Sequence, residues 1–145
     1  NLAEEELSSI TKTVMNLYNN IDSLVAADSR KVSKAEVTKT IDLSNDESCI
    51  INGKITYDIA ANTFTIELNI KLTDYEIDGY VLTGNMQITI NAEDSTTFVA
   101  LVKGKLSGFI QGSDELTIID LKISSANEKT KITGTINGED VSYLN

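Results

Sequence analysis

Ile66-Glu67-Leu68-Asn69-Ile70-Lys71-Leu72-Thr73-Asp74-Tyr75-Glu76-Ile77-Asp78-Gly79-Tyr80-Val81-Leu82-Thr83-Gly84-Asn85-Met86-Gln87-Ile88 is the stretch that decides the fold. Apolar and polar residues alternate on both sides of Asp78-Gly79, the pattern of antiparallel strands with one buried and one solvated face. Asp-Gly is a favoured two-residue type I′ hairpin loop, because both central positions need φ > 0. Pairing across it sets Ile77 against Tyr80 and Tyr75 against Leu82, apolar on apolar. Further from the turn the parity breaks: Tyr75 and Ile77 are odd, Leu72 and the apolar residues before it even. A one-residue slip would turn the strand inside out, so one residue must be absorbed. The pattern predicts a β-bulge at Thr73-Asp74, with Leu72 then facing Gly84, Ile70 facing Met86 and Leu68 facing Ile88.

The same period of two runs from Ala35 to the end of the chain. It predicts strands over 35–43, 48–59, 63–77, 79–91, 96–111, 115–124, 129–137 and 139–144, joined by short connections into a meander. Asn137-Gly138 is a second type I′ signal, and its register sets Ile132 against Tyr143 and Gly134 against Val141. Before the strands, Leu7, Ile10, Val14, Leu17, Ile21 and Leu24 recur at spacings of three and four, one stripe of an amphipathic helix over 1–27. Asn1 is the expected N-cap with Glu4 three residues on, and Glu4, Glu5 and Glu6 suit the positive end of the helix dipole. Fewer than three heptads are present, so the helix is expected to pack on the sheet and not in a coiled coil.

Three blocks repeat in order. Ile51-Asn52-Gly53-Lys54-Ile55-Thr56 resembles Val102-Lys103-Gly104-Lys105-Leu106-Ser107, and Ile66–Ile70 resembles Ile119–Ile123. Leu82-Thr83-Gly84-Asn85-Met86 resembles Ile132-Thr133-Gly134-Thr135-Ile136. They suggest two copies of a three-stranded unit of about 50 residues. Gly53, Gly84, Gly104 and Gly134 fall on the apolar face, where glycine marks a bend or a close backbone approach.

At 145 residues the chain reads as a single domain, 1–145. It has no His, Pro or Trp, one Cys (Cys49) and one Arg (Arg30). Without His there is no His-paired nucleophile and no imidazole metal ligand. A single Cys gives neither an intrachain disulfide nor a CxxC motif. The net charge of −10 argues against a nucleic-acid partner. Lys31, Lys34 and Lys39, extended by Arg30, form the one basic patch along the sequence, while residues 44–100 carry −7. No apolar run is long enough to cross a membrane. The chain opens on Asn1, not Met, which reads as a processed or truncated form with any signal peptide or lipid-attachment Cys upstream. Thr- and Asn-rich strands, few Cys and an acidic balance suggest a bacterial cell-envelope or secreted protein, lipid-anchored if the anchor lies upstream.

Candidate sites are few. Asp74-Tyr75-Glu76-Ile77-Asp78-Gly79 opens like a calcium loop, but Asn85 stands where the bidentate Glu belongs and no helices flank it. At most it offers weak calcium binding through Asp74, Glu76 and Asp78. Ser9-Ile10-Thr11-Lys12 has the S-x-x-K spacing of penicillin-recognising enzymes without their partner motifs. Cys49 is expected as a buried inert thiol, and Tyr18, Tyr57, Tyr75, Tyr80 and Tyr143 as core-edge tyrosines. No catalytic, cofactor or metal residue can be named, and an enzyme is not expected.

Geometry says more than motifs. Eight strands make a flat sheet about 38 Å wide, whereas one helix covers a strip about 10–12 Å across. The sequence therefore predicts a mainly β fold (α+β): an N-terminal helix packed on a strongly curved antiparallel meander, half-barrel or barrel-like. That outline resembles bacterial lipoprotein carriers and lipocalin-like barrels, although no motif ties the chain to either. The expected function is non-enzymatic binding of a lipid-like or hydrophobic ligand on the concave apolar face. Its lining would be Ile55, Tyr57, Leu68, Ile70, Leu82, Met86, Leu106 and Ile132, which are also the expected core. The alternative is a structural or protein-interaction module with no small-molecule ligand, presenting an acidic Thr/Asn surface to a partner.

Overall fold

A computed structural model describes residues 3–29, 38–94 and 96–142. The helix α1 (Glu4–Ser29) is followed by β1 (Thr38–Asp46), β2 (Cys49–Asp58), β3 (Thr63–Ile77), β4 (Tyr80–Ala92), β5 (Phe98–Ser107), β6 (Thr117–Ala126), β7 (Lys129–Ile136) and β8 (Glu139–Asp140). The strands form one antiparallel sheet in sequence order, β1 through β8, which among the described residues does not close. Every link is local, which is the meander that the alternation and the short turns demand.

The hairpin at the centre behaves as its residues require. Asp78 and Gly79 have φ of 51° and 83°, both positive as a type I′ turn needs. Ile77 faces Tyr80 and Tyr75 faces Leu82; beyond the bulge Leu72 faces Gly84, Ile70 Met86 and Leu68 Ile88. Thr73 and Asp74 together oppose Thr83, and the backbone N–H of Asp74 donates to Thr83 Oγ1 at 3.0 Å. The bulge keeps Tyr75 and Ile77 facing inward with Leu68, Ile70 and Leu72. Asn137-Gly138 forms a second such turn, φ 53° and 79°, and the Val141 N–H donates to the Gly134 carbonyl at 3.0 Å. Tyr143, expected opposite Ile132, lies outside the described residues.

Several element ends differ from the sequence reading, each for a physical reason. Strand β5 stops at Ser107, not residue 111, because Gly108 (φ 113°) turns the chain. Phe109 then folds inward to pack edge-on against Tyr80, ring centres 5.0 Å apart. Asn127-Glu128, with φ of 52° and 65°, makes a third two-residue turn that no Gly announced. Of the expected last strand 139–144 only Glu139–Asp140 is strand; residues 143–145 lie outside the described residues, as do 30–37, which include the start expected for β1. A helical bond runs from the Leu7 N–H to the Ala3 carbonyl at 2.9 Å, which puts Ala3 at the N-cap position; Asn1, the expected N-cap, lies outside the described residues. Leu24 is 37% exposed while Val25 is buried. A straight helix drifts about 20° per heptad against a strict seven-residue repeat, and after five contacts the stripe has moved one residue on.

The repeated blocks fall on β2 and β5, β3 and β6, and β4 and β7, but the pairing does not follow their alignment. Gly53 faces Leu68, so the alignment would set Gly104 against Leu121; it faces Ile119 instead. A shift of two preserves which face each residue takes, so alternation survives where register does not.

The core is continuous from helix to sheet. Leu7, Ile10, Val14, Leu17, Ile21 and Val25 of α1 pack in one cluster with the inward residues of all the strands from β1 to β7. Within it Thr117 is fully buried and its Oγ1 has no hydrogen-bond partner. A buried unpaired hydroxyl costs stability that an isosteric methyl would not. Thr117→Val is therefore expected to raise the unfolding free energy by about 1 kcal/mol in urea melts, and a loss instead would show that the hydroxyl has a partner in solution.

Candidate functional site

The residues of the inward face, the expected ligand site, lie in one packed cluster with the helix. Ile55, Tyr57, Leu68, Ile70, Leu82, Met86 and Leu106 are buried, and Ile132 is partly buried against the same cluster. The helix over this face is fastened at the β3–β4 hairpin. Thr13 Oγ1 and Asn16 Nδ2 both donate to Asp78 Oδ2, at 3.2 and 2.7 Å, and Ser9 Oγ lies 2.8 Å from the Tyr80 hydroxyl. Three grooves formed by described residues have volumes of about 540, 340 and 280 Å³, and none of the three is lined by any of the eight expected residues.

The remaining candidates are accounted for by structure. Asp78 is committed to the helix and the Asp74 N–H to Thr83, while Glu76 stands opposite Val81 on the other face. Among the described residues no group of three or more His, Cys, Asp or Glu converges as a metal site would require. Ser9 of the S-x-x-K stretch is held by Tyr80. Cys49 is buried, as are Tyr18 and Tyr57, the latter donating to Asn62 Oδ1 at 2.5 Å.

The outward face carries what the linear reading missed. Strands β2–β7 contain seven of the chain's twelve basic residues but only five of its twenty-two acidic ones. All seven lysines (54, 71, 103, 105, 122, 129 and 131) sit at outward positions of the alternation. Across β2–β7 the strands therefore carry +2 in a chain of −10. Acids collect instead in the helix and the turns, where a sum along the sequence cannot separate them from the strands between.

The largest of these three grooves lies on this face across β4, β5 and β6. Its lining includes Asn85, Gln87, Lys103, Lys105, Asp120, Leu116 and Ile118, with the backbone of Gly84 and Gly104. Lys103 stands between Gln87 and Asp120 on the neighbouring strands, and Lys105 between Asn85 and Ile118. Leu116 and Ile118 are about half exposed, 49% and 50%, and Val99 and Leu101 add further exposed aliphatic surface on β5. The sequence signal was the outward register of β5, Val99-Leu101-Lys103-Lys105, available once the strand's faces are assigned.

The chain matches no protein-family model, no curated protein and no solved structure. Its function has to be argued from its own geometry.

Two kinds of carboxylate are shifted, in opposite directions. Burial raises Asp22 above its ordinary value of 3.8. Burial first, and the Asp22 charge second, raise the Tyr18 hydroxyl well above its usual range. Asp94 is lowered by hydrogen bonds from the Thr96 hydroxyl and the Thr96 and Thr97 N–H groups, and Asp140 by bonds from Ser142. A raised folded-state value means that the native state binds more protons between the unfolded and folded pKa. Ionised Asp22 thus detracts from stability above its folded pKa, and the deficit vanishes as pH falls below the unfolded value. Asp94 and Asp140 contribute stability above their unfolded value and lose it as pH falls through their folded one. Asp22→Asn is expected to raise Tm at pH 7 and to leave it unchanged near pH 3. Equal gains at both pH values would mean that charge is not the cause.

Proposed function

We propose that this domain is a non-enzymatic binding module that works through the outward face of its sheet, at the groove over β4–β6, and that the helix–sheet interior is a core and not a ligand cavity. The observation that carries the reading is the placement of the groove. The residues expected to line an internal site are packed against α1, while a groove of about 540 Å³ opens on the opposite face among exposed lysines, amides and aliphatic side chains. Sites for small ligands usually have about 300–1,000 Å³ and a few convergent polar groups. A chain without His, whose one Cys is buried, has little with which to build a nucleophile–base pair.

The reading takes the sheet as curled around α1 in a half-barrel. A single helix dries a strip of about 10–12 Å, yet buried residues run from Ile41 of β1 to Ile136 of β7. Inward glycines support such a curl. A Cβ at Gly53 would meet the Glu67 carbonyl at 1.9 Å, and one at Gly134 the Asp120 carbonyl at 2.1 Å, so adjacent backbones crowd that face. We place the protein at the bacterial cell envelope or outside the cell, in keeping with its Thr- and Asn-rich exposed strands. Among the described residues no helix is long and apolar enough to cross a membrane.

Solvent extraction of the purified domain, followed by mass spectrometry, tests the reading. The expected result is no lipid in molar proportion to protein. Stoichiometric lipid would return the function to the concave face.

A further inference from the structure

We infer that the groove over β4–β6 is a site for an anionic saccharide, a hydroxyl-rich ring bearing a carboxylate; this rests on the outward-face reading above. Strands β4, β5 and β6 are each paired on both sides, so the backbone here is committed to ladders and a peptide cannot add as a further strand. Whatever binds is read by side chains alone. The two ammonium groups of Lys103 and Lys105 offer three donors each and no acceptor, the amides of Asn85 and Gln87 offer both, and Asp120 only accepts. The complement of that set is a ligand rich in acceptors, with some donors and a negative charge. Hydroxyls supply the first two and a carboxylate the third.

The charge is local, and two lysines face one carboxylate in the lining. Lys103 faces Asp120 across the β5–β6 ladder, but the cross-strand neighbours of Lys105 are Asn85 and Ile118, neither acidic. Lys71 stands on the far side of Asn85, in the same row as Lys105. Half-exposed Leu116 and Ile118 flank these donors and give the C–H face of a ring an apolar wall. The backbone of Gly84 and Gly104 completes the lining.

The test is an amide-resolved NMR titration of the whole chain with trigalacturonate and with a hyaluronan tetrasaccharide. Cellotriose serves as the neutral control and hexaglutamate as the acidic-peptide control. At least one uronic-acid saccharide should shift the amides of residues 85, 87, 103, 105, 118 and 120 together. Lys105→Gln should weaken that binding roughly tenfold while leaving Tm unchanged, since the side chain is exposed. Cellotriose binding as tightly as the acidic sugars would overturn the anionic assignment. Hexaglutamate moving the same amides with equal affinity would overturn the saccharide and leave the outward face as an acidic-polypeptide surface. No shift from either uronic-acid probe overturns the inference, and the lipid extraction above then decides the outward-face reading independently.

Discussion

Gly84→Ala is expected to lower the unfolding free energy by about 3–4 kcal/mol, enough to leave many domains of this size largely unfolded on mild heating. Two costs add. Gly84 has φ of 148°, a backbone conformation that L side chains rarely adopt, and its Cβ would sit 2.2 Å from the Lys105 carbonyl oxygen and 3.1 Å from Leu106. That oxygen belongs to the β4–β5 ladder and cannot swing aside as a flexible side chain would. Gly79→Ala separates the two costs. Gly79 also has positive φ, 83°, but nothing lies within 4 Å of its Cβ position, so about 1 kcal/mol is expected from conformation alone. Equal losses at the two sites, measured by urea denaturation, would show that the crowding under Gly84 is relieved at no cost.

Leu17→Ala is expected to cost about 3–4 kcal/mol, and the size of the loss bears on function. Leu17 is fully buried in the middle of the helix stripe, in the cluster that includes Leu68, Met86 and Val102. Truncation of a packed leucine loses transfer energy and leaves a cavity, and both terms are present only if neighbours touch it. A loss below about 1.5 kcal/mol would mean that Leu17 borders open space, as it would in a lipid carrier, and would count against the outward-face reading.

The fold was legible where its cause is local. Strand faces follow from alternation, the two Gly-containing turns from residues that accept φ > 0, and the bulge at Thr73-Asp74 from a parity that had to be repaired. Where the cause is a contact between distant segments, the reading failed in small ways. Phe109 leaves the β5 alternation after Gly108 and packs on Tyr80 of β4, and at the end of the helix Val25 is buried in place of Leu24. The turn at Asn127-Glu128 lacks the glycine that usually marks such a loop, yet the β6–β7 pairing holds both residues at positive φ. The candidate site was hidden for a different reason. Lys103, Lys105, Gln87 and Ile118 belong to three strands, and only the ladder makes them neighbours.

By itself the sequence determined one amphipathic helix followed by an antiparallel meander with one apolar face, because hydrophobic period and turn chemistry act over a few residues. Tertiary structure alone decided what fills that face and what the other one presents. The helix docks through the side chains that reach Asp78 and Tyr80, and its apolar stripe joins the core of the sheet. Cross-strand register gathers lysines from separated segments onto a solvated surface, since a charge summed along the chain has no knowledge of which face a pleat will turn it to.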